Sequence, residues 1–176
     1  EDVEVDNVYA SLNEKEWYET YEPTRAEFSD CLIDTLNSEK LKGKVKSPEL
    51  NEKIEIDGIN IEILGIRNPE ITENPGNEQS MVIKFDTGET TLLILGDTGE
   101  KSSAKLLQNQ KEKLKSDIVQ MSHHGQAGAT EELYKAISPT ICLWPTPEWL
   151  WDNDNGGGKG SGPWKTLETR SWMENM

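Results

Sequence analysis

The sequence predicts a mixed α/β domain whose single sheet carries its helices on one face. Three observations lead there. Short β-branched runs come in pairs around turn sequences, as in 81–85 and 91–95 around Asp86-Thr87-Gly88-Glu89. From residue 91 onward, apolar runs of strand length alternate with segments of helical apolar spacing. Finally, metal-binding residue types follow two of the runs directly: Asp97 after the second, and His123-His124 after the run at 117–121.

The first apolar alternation, 3–10, reads as a strand. Residues 11–23 are polar but hold Trp17, Tyr18 and Tyr21, which suit either a half-buried cap on the core or a pocket wall. Residues 24–42 read as a helix, with Thr24 as N-cap, Glu27 completing a capping box and Gly43 as the stop. Its stripe of Phe28, Leu32, Ile33, Leu36 and Leu41 is expected to be core. A short extended piece at 44–47 precedes two runs, 53–56 and 59–64, that flank Asp57-Gly58 and so form a hairpin. Residues 65–79 are a loop rich in Pro, Gly and Asn that should lie near Asp97.

Past the 81–95 hairpin, residues 102–115 read as a helix with Ala104, Leu106, Leu107 and Leu114 inward. Thr130 caps a further helix to about 137, and a strand at 140–144 follows. The stretch after it is a Gly- and Asp-rich loop carrying Trp144, Trp149, Trp151 and Trp164. Those rings either bury the loop or form an aromatic box for a quaternary ammonium ligand. A last helix begins at about 164.

The chain has 176 residues, enough for one domain with a real core. Its formal net charge of −15 argues against binding a phosphate backbone, which needs Lys and Arg to displace counterions. Nucleic acid is therefore a disfavoured partner. No run of about 18 apolar residues is present, so no membrane-spanning helix is expected. Cys31 and Cys142 are far apart and in no metal-binding spacing.

Asp97 and His123-His124 are the candidate site. Strand C-terminal ends in α/β sheets are where ligands collect. A carboxylate and a neutral imidazole at two such ends offer the donors that suit Zn²⁺ or Mn²⁺. Each residue alone has a plainer reading, as a turn Asp and a buried His. The chain's only two His are adjacent at a strand end, and that clustering favours a shared site.

Together, ILGDTGE, DIVQMSHHG one helix later and the strand PTICLWP resemble the second half of the metallo-β-lactamase fold. The HHG-type branch is the most similar, with its competence DNA-uptake hydrolase domains and teichoic-acid phosphorylcholine esterases. The resemblance implies an αβ/βα sandwich of which this chain is the C-terminal half. It also implies a dinuclear metal-dependent hydrolase, zinc or manganese loaded, acting on a small or polymer-linked phosphate ester. In that frame Asp97 bridges two ions, His123 or His124 binds one, and the other His lies beside the substrate phosphate.

The family's His-x-His-x-Asp-His run is not in this sequence, which opens EDVEVD. The expectation is a single domain over 1–176 lacking its N-terminal half and inactive alone. Its inner sheet face should then pair with that half or with a second copy. A different reading is a non-catalytic module that binds a glycan, a choline-bearing polymer or a protein through the Trp-rich loop.

Overall fold

The computed structural model describes residues 4–176, so position 3 of the first predicted strand lies outside it. β1 (Val8–Tyr9) does not join the main sheet; it pairs in parallel with β2 (Val45–Lys46). Between them run α1 (Lys15–Tyr21), α2 (Ala26–Leu36) and a 3-10 turn, Glu39–Leu41. The main sheet has six strands, in the spatial order of the sequence: β3 (Lys53–Ile56), β4 (Ile59–Gly65), β5 (Val82–Asp86), β6 (Thr91–Ile94), β7 (Ile118–Gln120) and β8 (Ile141–Leu143). The pairings from β3 to β6 are antiparallel and the last two are parallel. β4, β6, β7 and β8 therefore all end at the same edge.

Turn chemistry accounts for the hairpins. Asp57 and Gly58 have φ of +51° and +80°, the left-handed pair that a two-residue hairpin needs. Four helices cover one sheet face: α4 (Glu100–Asn109), α5 (Lys111–Leu114), α6 (Glu131–Ile137) and α8 (Thr166–Glu174). From them Leu106, Leu114, Leu133, Tyr134 and Ile137 pack on Leu64, Leu93, Leu95, Val119 and Met121 of the sheet. Two short helices complete the set, α3 (Pro75–Glu78) and α7 (Glu148–Trp151). Thr130 caps α6 as expected, its hydroxyl accepting from the Leu133 amide.

The other sheet face is apolar too. Strand register places Ile54, Ile61, Phe85, Leu92, Ile118 and Ile141 in one row across all six strands. A second row holds Ile63, Ile83, Ile94, Gln120 and Leu143. Neither row contains a charged residue. At the sheet's margins Ile56, Ile141 and Leu143 are exposed, whereas Ile63 is buried.

Two expected helices differ. α2 starts at Ala26, without a side-chain cap from Thr24, and ends at Leu36. None of its residues is buried, and Phe28 is 77% exposed. Of its apolar stripe, Phe28 and Leu32 are exposed and Ile33, Leu36 and Leu41 half-buried, so none is core in this chain. The 102–115 helix is two helices, because Gln110 leaves helical geometry at φ −129°. Inward positions in its first turn belong to Ser102 and Ser103, while Ala104 is exposed.

Candidate functional site

Asp97 and His123 come together at the edge where β6 and β7 end. Gly96 turns the chain with φ +58°, and the Ser80 hydroxyl accepts the Asp97 amide at 3.0 Å. The Gln120 side-chain oxygen accepts the Leu95 and Gly96 amides at 3.1 and 3.0 Å, while its nitrogen donates to the Met121 carbonyl. After β7 the chain makes a tight turn, Ser122–Gly125. The His123 amide donates to the Gly96 carbonyl at 3.0 Å, and the Ser122 hydroxyl donates to the Thr98 carbonyl at 2.6 Å. Tyr134, buried in α6, holds the Ser122 amide at 3.1 Å through its phenol oxygen. The two predicted segments are thus joined by direct hydrogen bonds.

Both imidazoles sit on left-handed backbone, with φ of +48° at His123 and +59° at His124. Non-glycine residues held there cost about 1–3 kcal/mol each and concentrate at functional sites. The two rings lie apart, with centroids 6.2 Å from each other. His124 lies outward, its Nδ1 at 2.9 Å from the Pro145 carbonyl and its own carbonyl accepting from Thr146. His123 turns inward. Its Nδ1 is buried and meets no hydrogen-bond partner among the described residues.

Burial holds the His123 imidazole below its ordinary pKa of 6.5, while the Asp97 carboxylate and, less strongly, the Ala127 backbone pull it up and the His124 and Arg25 charges push it down. The unfolded chain therefore takes up this proton first, so the group withdraws stability as pH falls below about 6.5. In an NMR titration the His123 ring resonance should have its midpoint below that of a free imidazole. A midpoint at or above it would mean that Asp97 outweighs burial.

Glu78 was not apparent from the sequence. It is buried at 3% exposure, and its carboxylate accepts from the Lys101 and Ser102 amides and the Ser102 hydroxyl at 3.1, 2.7 and 2.5 Å. Those donors open α4, directly after Asp97-Thr98-Gly99. Gly99 has no room for a side chain because that carboxylate occupies the space. A Glu in a polar loop reads as surface; only the fold brings it to a helix start 24 residues away. Glu78→Ala leaves these donors unpaired and should lower unfolding free energy by about 2–4 kcal/mol in a urea melt. A loss under about 0.5 kcal/mol would mean that water replaces the carboxylate freely.

The aromatic loop is packed. Trp144 meets Trp151 edge-on at 5.2 Å, Trp149 meets Trp164 at 5.0 Å, and the Arg170 guanidinium lies 4.0 Å over the Trp151 ring. The four rings form two edge-to-face pairs, not the box for a quaternary ammonium. Asp154, in the same loop, uses its carboxylate to accept the Gly156 and Gly158 amides.

A buried imidazole nitrogen with no hydrogen-bond partner among the described residues, in the field of the Asp97 carboxylate, suits a cation. Asp97 and His123 are two donors, and among the described residues no three His, Cys, Asp or Glu side chains gather at metal-binding range. A tetrahedral Zn²⁺ shell needs further ligands.

No family model matches this chain, and no curated protein sequence does either. Solved structures do show likeness. The metallo-β-lactamase fold protein YhfI from Bacillus subtilis is similar at 13% identity and TM-score 0.42, over 81% of this chain and 65% of that one. The isothiocyanate hydrolase from Delia radicum gut bacteria gives 17% identity and TM-score 0.41, over 80% and 62%. A possible metal-dependent hydrolase from Veillonella parvula gives 12% and 0.44, over 97% and 70%. The chain thus spans less than two thirds of the first two. What it shares with them is a layered sheet and helices.

Proposed function

We propose that this chain is part of a metal-dependent hydrolase of the metallo-β-lactamase type, acting on a phosphate ester. Asp97 and His123 are the metal ligands this chain supplies, and His124 stands beside the substrate. The observation that carries the reading is the buried His123 Nδ1, unpartnered among the described residues and subject to the Asp97 charge. The resemblance of ILGDTGE and DIVQMSHHG to the second half of that fold supports it. A pair of Zn²⁺ or Mn²⁺ ions would lower the pKa of a bound water and stabilise charge on the leaving oxygen. For its part, the chain holds the Asp97 carboxylate on a fixed turn, keeps His123 neutral near pH 7 and leaves the His124 ring exposed toward substrate.

Zn²⁺ titration followed by NMR tests this. Metal should shift the His123 ring resonances first, and Asp97→Asn should abolish the shift. Equal perturbation of surface carboxylates, with none at His123, would overturn the assignment.

The remaining ligands belong, in this reading, to a segment that covers the uncharged sheet face. That segment is the N-terminal half of the same domain or, failing it, a second copy. A sheet face of roughly 800 Å² left open forgoes roughly 20 kcal/mol as an upper bound. Light scattering on this chain alone should show self-association, and addition of the covering half should disperse it. A clean monomer without a partner counts against the covered face.

A further inference from the structure

The turn that carries Asp97, residues 96–99, is gripped at both ends by one short segment. At its start the Ser80 hydroxyl accepts the Asp97 amide at 3.0 Å, and Ser80 packs where a Gly96 side chain would stand. At its end the Glu78 carboxylate fills the place of a Gly99 side chain and accepts the Ser102 amide at 2.7 Å. Gln79 lies between these two grips and is buried. Its side-chain oxygen accepts the Asn68 amide at 2.7 Å and the Asn13 side-chain amide at 3.1 Å. Its nitrogen donates to the Asn68 and Ile71 carbonyls at 3.1 and 3.2 Å. Both acceptor sites and both protons of the amide are thereby used. Asn68 completes the clasp, donating from its side chain to the Glu78 carbonyl at 2.8 Å.

Asn13 reaches this clasp from 66 residues away. It belongs to an arm, residues 11–21, that lies outside the six-stranded sheet. Three of the arm's side chains hold the loop before β5. The Ser11 hydroxyl accepts the Arg67 amide at 2.9 Å, the Trp17 indole donates to the Pro69 carbonyl at 2.9 Å, and Asn13 donates to Gln79. The first two contacts fall on the far part of the loop. Asn13 alone of the three meets the residue that is joined through the main chain to both Glu78 and Ser80. Losing it would leave a buried amide oxygen one donor short, which is costly away from water. Consecutive buried residues share backbone torsions, so Gln79 cannot shift without moving the carboxylate and the hydroxyl on either side of it.

We propose that Asn13 and Gln79 are positioning residues for the Asp97 turn: docking of the arm sets Gln79, and Gln79 sets the two grips. The arm thereby governs how well the turn is ordered to receive a cation. The part that concerns metal rests on the hydrolase reading, whereas the ordering of the turn does not. Segments with few buried apolar contacts open locally at lower cost than a core does. The helix that follows the arm, α2, buries none of its residues. Undocking of the arm is therefore an easier event than unfolding of the sheet, and the turn loses its grips when it happens.

Amide hydrogen exchange followed by NMR reads each grip separately, the Asp97 amide for Ser80 and the Ser102 amide for Glu78. Asn13→Ala should speed both by at least about tenfold, while amides of the β5–β6 ladder keep their rates. Trp17→Phe, which frees the arm from Pro69 but not from Gln79, should leave both rates unchanged. Asn13→Ala should also weaken Zn²⁺ binding, read at the His123 ring, by at least about tenfold. Asn13→Ser, whose hydroxyl is too short to reach Gln79, serves if the alanine variant fails to fold. Unchanged exchange at Asp97 and Ser102, or equal acceleration by Trp17→Phe, overturns the proposal. So does an unchanged Zn²⁺ affinity in the Asn13 variant where the unsubstituted chain binds the ion. Faster exchange in the variant, with no Zn²⁺ shift at His123 in the unsubstituted chain, would overturn the hydrolase reading and support the positioning role.

Discussion

Asp97→Asn is expected to lower metal-dependent phosphate-ester hydrolysis by more than about 10²-fold in the assembled enzyme. The substitution keeps the side chain's size and takes away its charge. The turn that carries it is held by main-chain contacts, the Asp97 amide on Ser80 and the Gly96 carbonyl under the His123 amide, and Asn preserves both. Fold stability should therefore barely change, and a loss of turnover reports on charge. With the carboxylate gone, the largest upward pull on His123 is lost while burial and the His124 charge still push down, so its ring resonance should titrate at still lower pH. Retained hydrolysis with an altered His123 titration would place the metal elsewhere.

Gly125→Ala is expected to cost about 2–5 kcal/mol, the largest loss from a single added methyl. Two effects combine. Gly125 has φ +78°, which L-residues adopt at a cost of about 1–2 kcal/mol. In addition, a Cβ there would overlap the Trp144 ring. Gly43→Ala separates the two, since its φ is +75° and nothing lies within 4 Å of its missing Cβ. Urea melts should show the Gly43 variant losing only the backbone part. Equal losses in the two variants would mean that Trp144 moves aside freely. The Gly125 variant should also disturb the His123 and His124 resonances, because the glycine closes their turn.

Much of the sheet could be read from local chemistry. Asp57-Gly58 and Asp86-Thr87-Gly88-Glu89 force reversals within a few residues, so their strands pair as the sequence implies. Asp97 and the His pair were also visible, because each follows an apolar run directly. What the sequence hid depends on distant partners. The apolar periodicity of α2 says that one side prefers to leave water, but not that a covering surface exists, and Phe28 stays exposed. Ser102 and Ser103 look like surface positions until Glu78 and the Gly99 carbonyl are brought to them. The different placements of the two His rings, one inward and one outward, were equally out of reach, since both sit on left-handed backbone.

Gln120 has a consequence beyond its own strand. It is the one polar member of its row, yet it satisfies two amides and a carbonyl where the β6–β7 ladder stops. A side chain thereby stands in for the next rung of main chain. The Asp97 turn is preorganised by protein atoms alone, so an arriving ion meets a carboxylate whose ordering entropy has already been spent in folding. If the proposed site holds a metal, Gln120→Ala should accordingly weaken its affinity although residue 120 is not one of the proposed ligands.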